Sequence, residues 1–231
     1  VIDRTRLAAL RKVEEERFLA NHKKSGEAFT DSQKVMHEGV PMSWMAKWPG
    51  AHPVFVKEAK GAKFTDIDGN TYIDFCLGDT GSMTGHSPDA TIAAIKRQAD
   101  IGITSMLPTL DAAVVSKELA ARFGLPKWQF TVTATDANRH VIRYCRLITG
   151  RSKIIVIDRC YHGSVDETFA TLDDAGNTVK REGNLGAPVD LAVTTRVVEF
   201  NNLAGMEAAL AHGDVAAILM EPAMTNVGIV L

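Results

Sequence analysis

Three short stretches carry the residue types from which chemistry could be built. Thr133-Ala134-Thr135-Asp136 follows an extended run and opens an amphipathic segment. Two hydroxyls beside the free N–H groups of a helix start suit a phosphate dianion, because unpaired N–H groups and the helix dipole both favour negative charge. The same residues also make an ordinary N-cap through Thr133 or Thr135. Cys160-Tyr161-His162-Gly163 follows a second apolar run. Tyr161 could stack on a ring or cover a sheet edge, and His162 could be a general base or a hydrogen-bonded structural histidine. Cys160 has no partner pattern for a catalytic triad and reads as a buried thiol. Glu221-Pro222 ends a third apolar run. A carboxylate there is costly to bury alone, so it must bind a backbone group, an arginine or a ligand.

The elements that must position these residues follow from periodicity. Residues 3 to about 36 have helical spacing, with Leu7, Leu10, Val13, Phe18 and Leu19 on one face. Residues 38–53 form a proline-broken loop that carries Trp44 and Trp48. Residues 54–77 alternate apolar and polar and turn at Asp68-Gly69-Asn70, which predicts a β-meander. A glycine-punctuated flexible segment, 78–86, comes next. Helices are expected from Ser87-Pro88 to about Ala99 and from Leu110 to Phe123, the second capped by Thr109. Beyond Gly124 the pattern alternates: strand 129–132, helix 136–148, strand 153–157, an irregular polar insertion at 170–188, strand 195–200, helix 202–212 and strand 215–220. Such alternation predicts βαβ units on a parallel sheet, whose ligands sit at the carboxyl ends of the strands. Thr133, Asp158 to Tyr161, Asn201 and Glu221 fall at those ends.

Composition removes several classes of function. The chain has 231 residues, 45% of them hydrophobic and 23% charged, and a net charge of −2. No basic stripe recommends nucleic acid or an anionic membrane, and no apolar run is long enough to span a bilayer. Three cysteines at irregular spacing point to reduced thiols and a cytoplasmic setting. Seven histidines without HxxxH or HExxH spacing give no metal site. The absence of any GxG leaves a dinucleotide-binding domain unsupported. The chain starts at Val1 and stops inside an apolar stretch at Leu231, so it reads as a piece of a longer protein.

Six segments in order resemble the class III, fold-type-I pyridoxal-phosphate aminotransferases, in the branch of glutamate-1-semialdehyde aminomutase and the β- and ω-amino acid aminotransferases. They are GAKFTDIDGNTYIDFCLGD (61–79), GHSPDATIAAI (85–95), TLDAAVVSKELAARF (109–123), TATDANRHVIRYCRLITGR (133–151), CYHG (160–163) and EPAMTNVG (221–228). The resemblance implies an α/β fold with a mainly parallel sheet in a large domain. Residues 1–85 would belong to the small domain, as an N-terminal helix, loop and β-meander. Residues 86–231 would begin the large cofactor-binding domain, with its C-terminal part missing.

The resemblance further implies that Thr133, Ala134 and Thr135 hold the phosphate of pyridoxal 5'-phosphate and that Tyr161 stacks on its ring. His162, Glu221 and Asn226 would lie near it. The substrate pocket would include Ser43 and Trp44. The matching loop, Pro41 to Met45, lacks the arginine that often holds a substrate carboxylate in the aminomutase branch, which points to a more apolar amine or amino acid. The family's Ser-Gly-Thr-Glu is here Thr133-Ala134-Thr135-Asp136, and alanine in place of glycine disfavours positive φ.

The implied activity is transamination between an amine or β/ω-amino acid and a keto acid or aldehyde. An intramolecular aminomutase and an inactive binding or dimerisation homologue are the alternatives. The Schiff-base lysine and the pyridine-binding aspartate are expected beyond Leu231. A homodimer with a shared active site is implied.

Overall fold

A computed structural model describes residues 2–187 and 189–228. Pro188, at the end of the expected insertion, and the last three residues of the apolar end fall outside it. The chain packs as two compact units, the first ending at Thr109 and the second starting at Leu110.

The first unit begins with α1 (Arg4–Asn21), capped by Asp3, whose carboxylate accepts the N–H groups of Thr5 and Arg6 at 3.0 Å each. One helix to about 36 was expected, but the chain breaks at His22 and restarts as α2 (Lys23–Ser32). The break has a tertiary cause. Asp68 accepts Lys24 N–H (2.7 Å), Ser25 N–H (3.0 Å) and the Ser25 hydroxyl (2.7 Å), and so caps a new helix from a turn far along the chain.

The expected meander is present as the antiparallel strands β1 (Val56–Lys60), β2 (Lys63–Asp66) and β3 (Thr71–Ile73). Asp66 closes its turn. It is fully buried and accepts Asn70 N–H (2.8 Å), Asn70 Nδ2 (3.0 Å) and the Tyr72 hydroxyl (2.9 Å). The imidazole of His22 lies between Tyr72 Oη (2.6 Å) and the Phe18 carbonyl (2.7 Å), tying α1 to the meander.

The glycine-rich segment after β3 was expected to be flexible but is pinned. Asp74 accepts three consecutive N–H groups, of Cys76, Leu77 and Gly78, at 2.9–3.0 Å, and pairs with His86 Nε2 at 2.7 Å. The expected domain boundary at 85/86 falls inside this unit. There a Gly61–His86 bridge and the contacts of Lys60 with Ser87 O and Asp89 hold the segment to the meander. The helix α3 (Asp89–Ile101) closes the unit.

The second unit opens with α4 (Leu110–Phe123). The strand expected at 129–132 does not form. That stretch pairs with no strand among the described residues, and Phe130 and Val132 are exposed. A strand needs a ladder partner for its N–H and C=O groups, and none is supplied here.

Next comes α5 (Ala134–Thr149), capped by Thr133 and ended by Gly150 in the left-handed conformation (φ 67°). The strand β4 (Lys153–Ile157) follows. The insertion expected to be irregular contains a hairpin, β5 (Ala170–Leu172) and β6 (Thr178–Lys180), antiparallel around a turn in which Asp173 accepts the N–H groups of Ala175 and Asn177. The short helix α6 (Leu191–Thr194), β7 (Thr195–Val198), α7 (Leu203–Ala211) and β8 (Val215–Leu219) complete the unit.

The sheet is parallel with order β7-β4-β8. Its middle strand, with Ile154, Ile155 and Val156 wholly buried, separates two layers of core. One holds Ile142, Val165 and Leu191, the other Val198, Ala209 and Val215. A central strand covered on both faces explains the unbroken apolar run at 154–157.

Candidate functional site

The site lies in the second unit, where the N-terminus of α5 meets the chain leaving the carboxyl ends of β4 and β8. Thr133 is consumed locally. Its hydroxyl accepts Asp136 N–H (3.1 Å) and donates to the Asp136 carboxylate (2.8 Å). This cap leaves the N–H groups of Ala134 and Thr135 at the mouth of a sixteen-residue helix, with no acceptor among the described residues.

Thr135 reaches the other way. Its Oγ1 accepts Ser164 N–H at 3.0 Å and keeps its own proton to donate. Gly163 sits directly against it: a Cβ on this residue would run into Thr135 Oγ1 and come within 3.1 Å of Thr135 Cα. Asn138 Nδ2 holds the His162 carbonyl (2.9 Å), and Arg139 holds the Ser164 carbonyl (3.3 Å). The first two turns of α5 therefore grip residues 162–164 through side chain and backbone alike.

Tyr161 precedes this grip and stays half exposed. Cys160 is buried, and burial pushes its thiol up to about 11 against the pull of Arg181, so it is no nucleophile at neutral pH. His162 is buried too. Burial holds its imidazole below the ordinary histidine range, while the charge of Glu221 and the Leu219 backbone oppose this.

Glu221 leaves β8 with Oε1 bound by the Thr225 hydroxyl (2.6 Å) and N–H (3.2 Å). Its Oε2 and His162 Nε2 are both buried without a hydrogen-bond partner among the described residues. Each such atom left unpaired costs about 1–3 kcal/mol, so each calls for a further polar group. Asn226 lies exposed farther along the Glu221 turn, bridged to Gly228. Ser43 and Trp44 belong to the first unit, on a 3-10 turn where Trp44 Nε1 donates to Met42 Sδ at 3.2 Å.

This arrangement fits a phosphorylated aromatic cofactor. Two N–H groups without an acceptor among the described residues lie at a helix mouth, Thr135 Oγ1 beside them packs on Gly163, which has no room for a Cβ, and Tyr161 lies two residues earlier on the same loop.

Residues 44–231 match the model of the family described as aminotransferase class-III. The chain belongs to the class-III aminotransferase family.

Known structures and sequences similar to the chain agree with this membership. Among structures, it superposes with a TM-score of 0.93 and 53% identity on a glutamate-1-semialdehyde-aminomutase from Pseudomonas aeruginosa PAO1, covering 99% of this chain and 50% of that one. A variant of that enzyme has been solved in complex with PMP. An omega-transaminase from Sphaerobacter thermophilus superposes at a TM-score of 0.79 with 25% identity, covering 89% of this chain and 48% of that one. In sequence, the chain is 34% identical over 214 residues to the glutamate-1-semialdehyde 2,1-aminomutase of Sulfurihydrogenibium sp. (strain YO3AOP1), covering 91% of this chain and 50% of that protein. The chain thus spans about half the length of the relatives it matches. Its fold is fold type I of the pyridoxal-phosphate-dependent transferases.

Asn138, Arg139 and Ser164 carried no signal in the sequence, because their roles come from the docking of α5 on the loop after β4.

Proposed function

We propose that the full-length protein binds pyridoxal 5'-phosphate and transfers an amino group between an amine or β/ω-amino acid and a keto acid or aldehyde. The observation that carries this is the mouth of α5, with two N–H groups and the Thr135 hydroxyl proton left to donate beside a loop gripped at residues 162–164. The cofactor supplies an electron sink for the carbanion formed on the substrate.

The chain's own residues hold and orient. Ala134, Thr135 and the Thr133 cap receive the phosphate, and Tyr161 offers its face to the ring. His162, Glu221 and Asn226 complete the surroundings. Ser43 and Trp44 are assigned to the substrate pocket on the family resemblance alone. A cytoplasmic homodimer completes the reading, and the three free cysteines support a reducing setting.

An intramolecular aminomutase is the second reading, favoured by the 53% identity to the Pseudomonas enzyme. The test is spectroscopic. The purified, dialysed full-length protein is expected to show a visible cofactor band that borohydride shifts; a protein without such a band is the inactive homologue. Turnover that requires an added keto acid marks the aminotransferase, and turnover without one marks the mutase.

Replacing Thr135 with valine should weaken cofactor binding by about 1.5–3 kcal/mol, the worth of a charge-assisted hydrogen bond. Thr135→Ser should keep most of the affinity. A dissociation constant that Thr135→Val leaves unchanged takes Thr135 out of the site.

A further inference from the structure

The insertion between β4 and α6 folds back on the segment that carries Tyr161. Asp158, the first residue after β4, accepts the Thr171 hydroxyl (2.6 Å) and Leu172 N–H (3.1 Å) from β5. On β6, Thr178 Oγ1 accepts Val197 N–H (3.1 Å) from the edge strand β7. The hairpin closes where Phe169 O accepts Arg181 N–H at 2.8 Å. Its last link is the Arg181 guanidinium, whose Nη1 donates to Cys160 O at 2.7 Å. That carbonyl belongs to the peptide that supplies the Tyr161 nitrogen. One residue beyond Tyr161, His162 O is held by Asn138 of α5 at 2.9 Å. Tyr161 thus lies between two held carbonyls, one fixed from the hairpin and one from α5, while its own side chain stays half exposed.

We propose that the β5–β6 hairpin is a brace for Tyr161 and that Arg181 is a positioning residue, which sets the direction of the Tyr161 ring through the Cys160 carbonyl. The proposal rests on the cofactor reading above and deepens it. A peptide unit is planar, so holding its oxygen also holds the nitrogen that follows. An ionised donor makes the stronger kind of hydrogen bond, and a guanidinium keeps its charge throughout the working pH range. Asn138 cannot replace this hold, because it grips the chain beyond Tyr161. The backbone before Tyr161 also needs support. Arg159 is in the left-handed conformation (φ 60°), which a residue with a Cβ adopts only at a cost. The bonds of Asp158 and of the Cys160 carbonyl to the hairpin lie on either side of it.

The experiment uses the full-length protein and two independent readouts. The first needs no cofactor: amide hydrogen exchange is followed in the peptide that spans residues 158–164. The N–H groups of Asp158, Cys160 and Ser164 are hydrogen-bonded there and protected. Arg181→Met should speed their exchange about tenfold, the loss of one charge-assisted bond, while β4 and α5 keep their protection. An unchanged rate overturns the brace.

The second readout uses the protein loaded with pyridoxal phosphate. Arg181→Met should change the circular dichroism of the visible band, which reports how the ring is held, and raise the dissociation constant about fivefold. Arg181→Lys, which keeps a charged donor, should fall between wild type and Arg181→Met in both readouts; any other order overturns the proposal. In a Tyr161→Ala background Arg181→Met should alter the dissociation constant by less than about twofold, because it acts through that ring. A full effect there, or a folded Arg181→Met variant with the wild-type dichroism and affinity, leaves Arg181 a merely structural residue and overturns the positioning role. If Arg181→Met fails to fold, Arg181→Gln takes its place under the same criteria. A wild-type protein without a visible band defeats the cofactor reading instead, while the exchange rates still decide whether the brace exists.

Discussion

Replacing Gly163 with alanine is expected to remove most of the affinity for pyridoxal phosphate and to destabilise the second unit by about 2–4 kcal/mol. Two independent causes add. Gly163 has φ of +80°, a conformation in which a Cβ is strained. The new methyl would also collide with Thr135 Oγ1 and press on the Cα (3.1 Å) and Cβ (3.2 Å) of that residue. Relief requires α5 or the loop to move, and either movement breaks the Ser164–Thr135 hydrogen bond and disturbs the mouth of α5. Thermal unfolding and cofactor titration of the full-length variant measure both effects. Adding Thr135→Ala should recover some stability, because the hydroxyl collision goes, but no affinity. Wild-type values for Gly163→Ala in both measurements would mean that the contact between loop and helix is not as close as described.

Replacing Asp66 with alanine should destabilise the first unit by about 3–5 kcal/mol at neutral pH, the usual cost of removing one partner from a buried charged network. Asp66 is wholly buried and serves Asn70 twice and Tyr72 once, with His22 Nε2 at 3.6 Å. Burial pushes its carboxyl up, but hydrogen bonds from Asn70, Tyr72 and Gly69 outweigh this and hold it below the usual carboxylate range. The sign of the pH dependence follows. A carboxylate with a depressed folded pKa contributes stability above its unfolded value of about 3.9, and loses it as pH falls through the folded value. The stability gap between wild type and variant should therefore be full at neutral pH and shrink in acid below about pH 4. Tyr72 remains a donor throughout, since burial, followed by Asp66, pushes its hydroxyl up to about 12. Denaturant unfolding at both pH values decides the matter: an equal gap at the two, or a gap under about 1 kcal/mol, removes Asp66 from its supporting role.

What the sequence made legible was local. The run at 154–157, the Thr133 cap and Gly150 after α5 are signals a few residues long, and they located β4 and α5 closely. The Asp68-Gly69-Asn70 turn located the meander for the same reason. What remained hidden was written at a distance. The break at His22 depends on Asp68, and no feature near residue 22 announces it. The pinning of residues 76–78 depends on one carboxylate and a histidine. The hairpin at 170–180 was missed although its Asp-Ala-Gly-Asn turn is a readable signal, because strands of three residues carry too little periodicity. The strand at 129–132 was expected from the alternating pattern beyond Gly124, which says nothing of a pairing partner.

The site divides along the same line. Thr135, Tyr161 and Glu221 could be singled out by residue type and position. The seat of Gly163 against Thr135 and the unsatisfied pair at His162 and Glu221 exist only once the loop is docked.

The strand order β7-β4-β8 has a consequence for how this chain is made. The middle strand is the first of the three in the sequence, so it leaves the ribosome before either neighbour exists. Its Ile-Ile-Val-Ile core combines high β-propensity with no charge, which is the signature of a segment that seeks any available edge. Protection comes only when Thr195 and, later, Ala217 arrive to pair with Ile154. When β4 emerges, α5 is already synthesised, and its Ile142 joins the same core as Ile154. In this chain the helix that forms the mouth of the site is also the first shelter for the nascent strand.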